Sequence, residues 1–178
     1  MIRTLRLFSW LALLGLGAYF IAGLYLERAG PPQIQTEITG QIDHIKVEKT
    51  ARRMTLYQQG QPVRTYDIAL GFAPSGDKDR QGDGRTPEGL YKIDRRNPNS
   101  SFHLSLGINY PKPEDIAHAR RGGYDPGGDI FIHGQPNRLT DLQKIKGDWT
   151  AGCIAVTNPE IREIWAVTPI GTTVEILP

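Results

Sequence analysis

Cysteine is nearly absent from this chain of 178 residues, which has one, Cys153, and only two methionines. A lone thiol cannot close an internal disulfide or form a Cys-x-x-Cys redox pair, so the folded part relies on its apolar core. Net charge is also scarce: setting aside Arg3 and Arg6, acids and bases balance. That balance excludes the basic footprint of a nucleic-acid binder. The histidines His44, His103, His118 and His133 are dispersed and make no close metal-binding pair, so neither a metal nor a cofactor is expected. No internal repeat or low-complexity segment is present.

Charge is missing altogether from Leu7 to Leu26, a stretch of 20 residues. At about 1.5 Å per helical residue it spans roughly 30 Å, the thickness of a bilayer's hydrocarbon layer. Arg3 and Arg6 before it favour a cytoplasmic N-terminus. Residues 1–28 therefore read as one N-terminal transmembrane helix that anchors the chain in a membrane. Residues 29–41, with Pro31-Pro32-Gln33, read as an extended linker. Residues 42–178 form one exported domain. A cleaved signal segment is the alternative, but such segments have shorter apolar cores, about 7–15 residues. Glu27 and Arg28 also stand where a small-x-small cleavage site would be needed.

Within that domain the pattern is mainly β. Strands are expected around Ile42–Val47, Met54–Leu56 and Val63–Leu70, with Gly60-Gln61-Pro62 as a hairpin turn, then at Gly89–Ile93, Phe102–Ile108, Asp129–His133 and Thr172–Leu177. Residues 71–88 are rich in glycine, proline and charge and read as a loop. Pro113 opens a short helix to Arg121, and one helical turn is expected at Thr140–Lys144. Asn158-Pro159-Glu160 starts a helix, with asparagine as its cap, that places Ile161, Ile164 and Trp165 on one face. Asp77, Asp79, Gln81 and Glu88 have the spacing of an EF-hand calcium loop. Gln81, Gly84 and Pro87 break the pattern, and strands rather than helices flank it, so calcium is not expected.

The chemistry-bearing pair is Cys153, in Asp148-Trp149-Thr150-Ala151-Gly152-Cys153, and His133, at a strand end before Gly134. A free thiol has a pKa of about 8.5 and attacks only as thiolate, so it needs a base close by. His133 is that base. The amides of Gly152 and Cys153 are expected to form an oxyanion hole, and Thr150 to supply a hydroxyl near the sulfur. Gly134 lets the backbone approach the site, and a backbone carbonyl orients the imidazole. Trp149 is either a cleft wall or core. Arg85 and Arg138 are the candidates for binding substrate carboxylates. Gln135–Gly147 is a candidate lid.

His133-Gly134 and Thr150-Ala151-Gly152-Cys153 together resemble the signature of the L,D-transpeptidase catalytic domain family, the YkuD type. Thr86-Pro87-Glu88-Gly89-Leu90-Tyr91 is similar to that family's Thr-Pro-x-Gly-x-Tyr element. The resemblance covers residues 42–178. It implies a YkuD-like β-sandwich with short helices. It also implies a cysteine acyltransferase acting on peptidoglycan stem peptides through a thioester on Cys153, in the bacterial periplasm. Many members have a histidine just before Gly-Cys and an arginine two residues after it; this chain has Ala151 and Ala155. Gly152 to Asn158 is closer to the YafK-like branch, for which hydrolysis of a peptidoglycan amide link is also implied. A catalytically inert envelope scaffold is the reading from another class. The sequence leaves oligomeric state open.

Overall fold

The computed structural model describes residues 26–28 and 37–178. The expected membrane anchor, apart from Leu26–Arg28, and Pro31-Pro32-Gln33 lie outside the described residues. Among the described residues no helix is long and apolar enough to cross a membrane. The elements in chain order are β1 (Leu26–Arg28), β2 (His44–Glu48), β3 (Arg53–Gln58), β4 (Gln61–Asp67), β5 (Gly89–Asn97), β6 (Ser105–Ile108), α1 (Pro113–Gly122), β7 (Phe131–His133), β8 (Gln143–Ile145), β9 (Ile154–Ala155), α2 (Asn158–Val167) and β10 (Thr173–Leu177).

Eight strands make one sheet in the order β4-β3-β2-β10-β5-β6-β7-β9, and β1 and β8 pair as a separate ribbon. Alternation sets the register of the first half. Ile45 and Val47 of β2 face Leu56 and Met54 of β3 on one side and Val174 and Ile176 of β10 on the other. All six are fully or almost fully buried. A one-residue slip would turn this whole row to solvent. Burying each such side chain contributes about 1.5–3 kcal/mol.

β5 turns the corner. Gly89–Lys92 pairs with β10, Ile93–Asn97 pairs with β6, and the register shifts between Ile93 and Arg95. An extra residue in one strand bends it and increases its twist. The expected sandwich is thus a single sheet curled on itself, and its two ends meet where Ala69, just beyond β4, bridges Ala155 of β9. Ile161, Ile164 and Val167 of α2 join the same core as Leu106, Ile132 and Ile154.

Local differences from the sequence reading have local causes. The helix α2 is capped by Thr157, whose N–H and hydroxyl both donate to Glu160 at 2.7 Å. Asn158 is instead the first helical residue, and its side-chain oxygen accepts from the Gln135 N–H. At Thr140–Lys144 the expected helical turn is replaced by a turn running into β8, since Gln143–Ile145 pairs with β1. Ser100–Leu104 is irregular, so β6 begins only at Ser105.

Candidate active site

His133 ends β7, and Cys153 immediately precedes β9. These strands run parallel with Ile132 opposite Ile154 and His133 opposite Ala155. One step back, Cys153 lies beside Phe131, whose N–H donates to Sγ at 3.4 Å. Alternation then sends the Cys153 and His133 side chains out on the same face. Both line one cavity of about 420 Å³, together with Phe102, Phe131 and Trp149. That size suits a small ligand or a peptide segment.

The imidazole is held on three sides. Its Nδ1–H donates to the Gly134 carbonyl at 2.7 Å, and its ring packs 4.6 Å from Phe102 and 5.7 Å from Trp149. Nε2 makes no hydrogen bond among the described residues and is the nitrogen left to exchange a proton. Burial pushes the His133 pKa down, partly offset by the Gly134 hydrogen bond. Burial pushes the Cys153 thiol up, while the Phe131 N–H pulls it back. Both shifts favour the uncharged forms of the imidazole and the thiol.

The turn before the cysteine is closed by Thr150, which corrects two expectations. Its hydroxyl donates to the Cys153 carbonyl at 2.7 Å and accepts from the Gly152 N–H at 3.1 Å. Thr150 therefore shapes the turn instead of donating toward the sulfur. The Gly152 amide is engaged within that turn, which leaves the Cys153 N–H as the amide beside Sγ. Gly152 has φ +138°, and a Cβ there would lie 2.7 Å from the Arg85 carbonyl oxygen, so only glycine fits. A Cβ on Gly134 would stand 2.7 Å from Asn158 Oδ1.

Polar clamps from distant strands hold this turn and its neighbours. Asp148 Oδ2 accepts from Arg52 Nη2 at 2.8 Å, and its Oδ1 accepts from the Leu70 N–H at 2.9 Å. Lys49, only 2% exposed, donates to the carbonyls of Gly76 and Thr86 and to the Glu88 carboxylate. Lys78 donates to Asp83 at 2.8 Å. Burial raises the Asp83 pKa, but Lys78 and the backbone N–H groups of Arg85, Asp79 and Arg80 together bring it down to about 2. The EF-hand-like carboxylates serve the loop itself: Asp77 accepts from the Lys78 and Glu88 N–H groups, and Asp79 from Tyr124.

Cys153, His133, Thr150 and Trp149 thus surround one cavity, but neither arginine expected from the sequence does. Arg85 donates to the Asp77 carbonyl and lines a separate cavity with Asp79, Glu114 and His118. Arg138 is exposed and lines no described cavity. The Gln135–Gly147 connection does not cover the cysteine either. Gln135 ties it down by donating to the Val156 carbonyl and accepting from the Ile145 N–H, and Lys144–Gly147 line a smaller cavity behind β9. Instead Asn97, Ser100, Ser101 and Phe102 form that wall. They carry no catalytic side-chain type in a motif, so nothing in the sequence singled them out. The indole N–H of Trp149 is buried and has no acceptor among the described residues.

Cys153 and His133 thus share one face and one cavity near the β9 end of the curled sheet. The chain belongs to the L,D-transpeptidase catalytic domain family, the YkuD family, whose model matches residues 42–176. It is 31% identical over 139 residues to "Putative L,D-transpeptidase YafK" of Escherichia coli strain K12, an alignment covering 75% of this chain and 50% of that protein. The fold is similar to that of the helical cell shape determining protein Pgp2 from Campylobacter jejuni, with TM-score 0.59 and 25% identity over 83% of this chain and 51% of that one. Bd1075 of Bdellovibrio bacteriovorus shares the fold with TM-score 0.55 and 23% identity, over 85% of this chain and 53% of that one. The chain spans about half the length of these relatives.

Proposed function

We propose that this protein is a peptidoglycan L,D-transpeptidase in which Cys153 attacks the carbonyl of the third residue of a stem peptide and His133 serves as general base. The observation that carries this reading is the shared cavity of the Cys153 thiol and a buried imidazole whose Nδ1 is fixed by a carbonyl. In the acylation step the thiol proton passes to Nε2 and the sulfur–carbon bond forms. The tetrahedral oxyanion rests on the Cys153 N–H. Its collapse expels the terminal amine, which takes the proton from Nε2 and leaves a thioester. An incoming amine then completes a cross-link or protein attachment.

Release by water is the second reading, as a YafK-like hydrolase of peptidoglycan or protein–peptidoglycan links. It is supported by the lining of the cavity, to which the Gln135–Gly147 connection contributes no residue. The same reading assigns residues 1–28, apart from Leu26–Arg28, which form β1 rather than helix, to a single-pass inner-membrane anchor, residues 29–41 to a linker and residues 42–178 to a catalytic domain in the periplasm.

Incubating the soluble domain with purified wall fragments and weighing the products tests the reaction, because cross-linked, trimmed and protein-released species differ in mass. A thioester adduct on Cys153 with a tetrapeptide stem is expected, and its absence under turnover conditions would sink the acyl-enzyme reading. Detection of a mature N-terminus near residue 30 would remove the anchor.

A further inference from the structure

Neither arginine expected from the sequence lines the cavity, yet a different one, Arg95, touches Asp129 and Phe131, which do. Arg95 of β5 pairs across with Gly107 of β6, and Gly107 pairs with Phe131 of β7, the residue beside Cys153. One transverse row therefore runs Arg95, Gly107, Phe131, Cys153. At about 4.8 Å per strand, the backbone of Arg95 is roughly 14 Å from that of Cys153. The empty middle position closes this gap: a Cβ on Gly107 would lie 2.5 Å from Arg95 Cγ and 2.8 Å from its Cζ. The arginine lies flat across β6 and brings its guanidinium 4.5 Å from the centre of the Phe131 ring.

Asp129 completes the device. Its carboxylate meets Arg95 Nη2 at 3.2 Å while remaining 89% exposed, and its carbonyl accepts the Cys153 thiol at 3.4 Å. Both charges are felt at the sulfur: Asp129 raises the thiol pKa and Arg95 lowers it. Asp129 holds φ +54°, a left-handed conformation that turns its side chain out at the lip of the cavity. Arg95 Nη1 also donates to the Asp94 carboxylate at 2.9 and 3.0 Å; exposed ion pairs of this kind are worth little to stability, so a ligand carboxylate can exchange for either acid at small cost.

We propose that Arg95 and Asp129 form a specificity site for a zwitterionic amino-acid head group on the donor's third residue, Arg95 binding its carboxylate and Asp129 its ammonium. This rests on the reading that Cys153 is acylated by that residue's carbonyl, which brings the residue's side chain to the same lip. A planar guanidinium backed by an aromatic ring is suited to bidentate carboxylate binding. A third residue ending in a bare amine would engage Asp129 alone.

The test measures kcat/KM for acylation of Cys153 by two tetrapeptide stems, one with diaminopimelate and one with lysine at the third position. Wild type is expected to prefer the diaminopimelate stem. Arg95→Gln should lose about tenfold or more on that stem and little on the lysine stem. Asp129→Asn, which keeps a residue tolerant of positive φ, should weaken both stems by similar factors. Equal wild-type rates on the two stems, or equal losses on both in Arg95→Gln, would overturn the proposal while leaving the acyl-transfer reading intact. If Arg95→Gln does not fold, unchanged rates on both stems in Asp129→Asn overturn it alone. Acylation by neither stem in wild type brings down the proposed function, and this site with it.

Discussion

The two halves of the curled sheet are held together differently. In β2, β3, β4 and β10 the strands are five to seven residues long and pair in an almost unbroken register. Around Cys153 they shrink to three residues in β7 and two in β9. Ladder hydrogen bonds are few there, and side chains make up the difference: Arg52 and Lys49 reach from the first half to Asp148 and to the carbonyls of Gly76 and Thr86, and Gln135 bridges Val156 and Ile145 within the second. The regular half supplies a frame; the irregular half frees its backbone to shape a cavity. Stability and function are thus separable by mutation to a useful degree.

The sharpest separation is at the pair itself. Cys153→Ala should reduce acyl transfer by about a thousandfold or more, since it removes the chain's one thiol and the hydroxyls that line the cavity are far weaker nucleophiles, and leave the melting temperature within a few degrees. His133→Ala should do the same to turnover, with a larger fall in stability from the ring packed against Phe102 and Trp149. A variant that lost activity only in step with its folded fraction would blur the comparison.

Lys49→Met removes a buried charge that holds three acceptors. It should cost about 3–5 kcal/mol in urea unfolding, because Glu88 and two carbonyls are left without their partner. Arg52→Ala is milder, with its side chain 39% exposed. A loss of about 1–2 kcal/mol is expected, accompanied by a fall in kcat as Asp148 and the Trp149–Cys153 turn loosen. Equal kcat in the folded fraction of Arg52→Ala would show that the clamp serves the fold alone.

Acid separates the halves by their titrating groups. His133 has its folded pKa below the ordinary 6.5, so the unfolded chain takes up the proton first, and stability declines as pH falls below about that value. The activity profile should stay flat through neutrality and decline only on the acid side of 6.5, once the base is protonated. Asp83, held down to about 2, adds stability that is present above its ordinary 3.8 and is lost as pH falls from there through about 2. The smallest expected effect is therefore the difference between wild type and Asp83→Asn, visible as a melting-temperature gap that narrows between pH 4 and pH 2.

Much of the frame was legible in the sequence because alternation is a local signal: Ile45 and Val47, Met54 and Leu56, and Val174 and Ile176 were in plain view. The Cys153–His133 pairing was legible too, since few residue types perform nucleophilic chemistry. What the sequence obscured were groups recruited through the backbone or across strands. Thr150 ties up the Gly152 amide, Phe131 reaches the sulfur through its N–H, and Arg95 arrives by way of the gap at Gly107. Arg85 and Arg138, by contrast, are near the motifs in the chain and away from the cavity in space.

By itself the sequence determined the balance of strands and helices and the apolar faces, because each depends on residue type and short-range spacing. Only the tertiary structure decided that one sheet curls until Ala69 meets Ala155, that burial favours the uncharged thiol and imidazole, and that Arg95 lies against Phe131 and Asp129 of the cavity wall. Those outcomes depend on register across several strands and on desolvation, and both arise only when distant segments pack together.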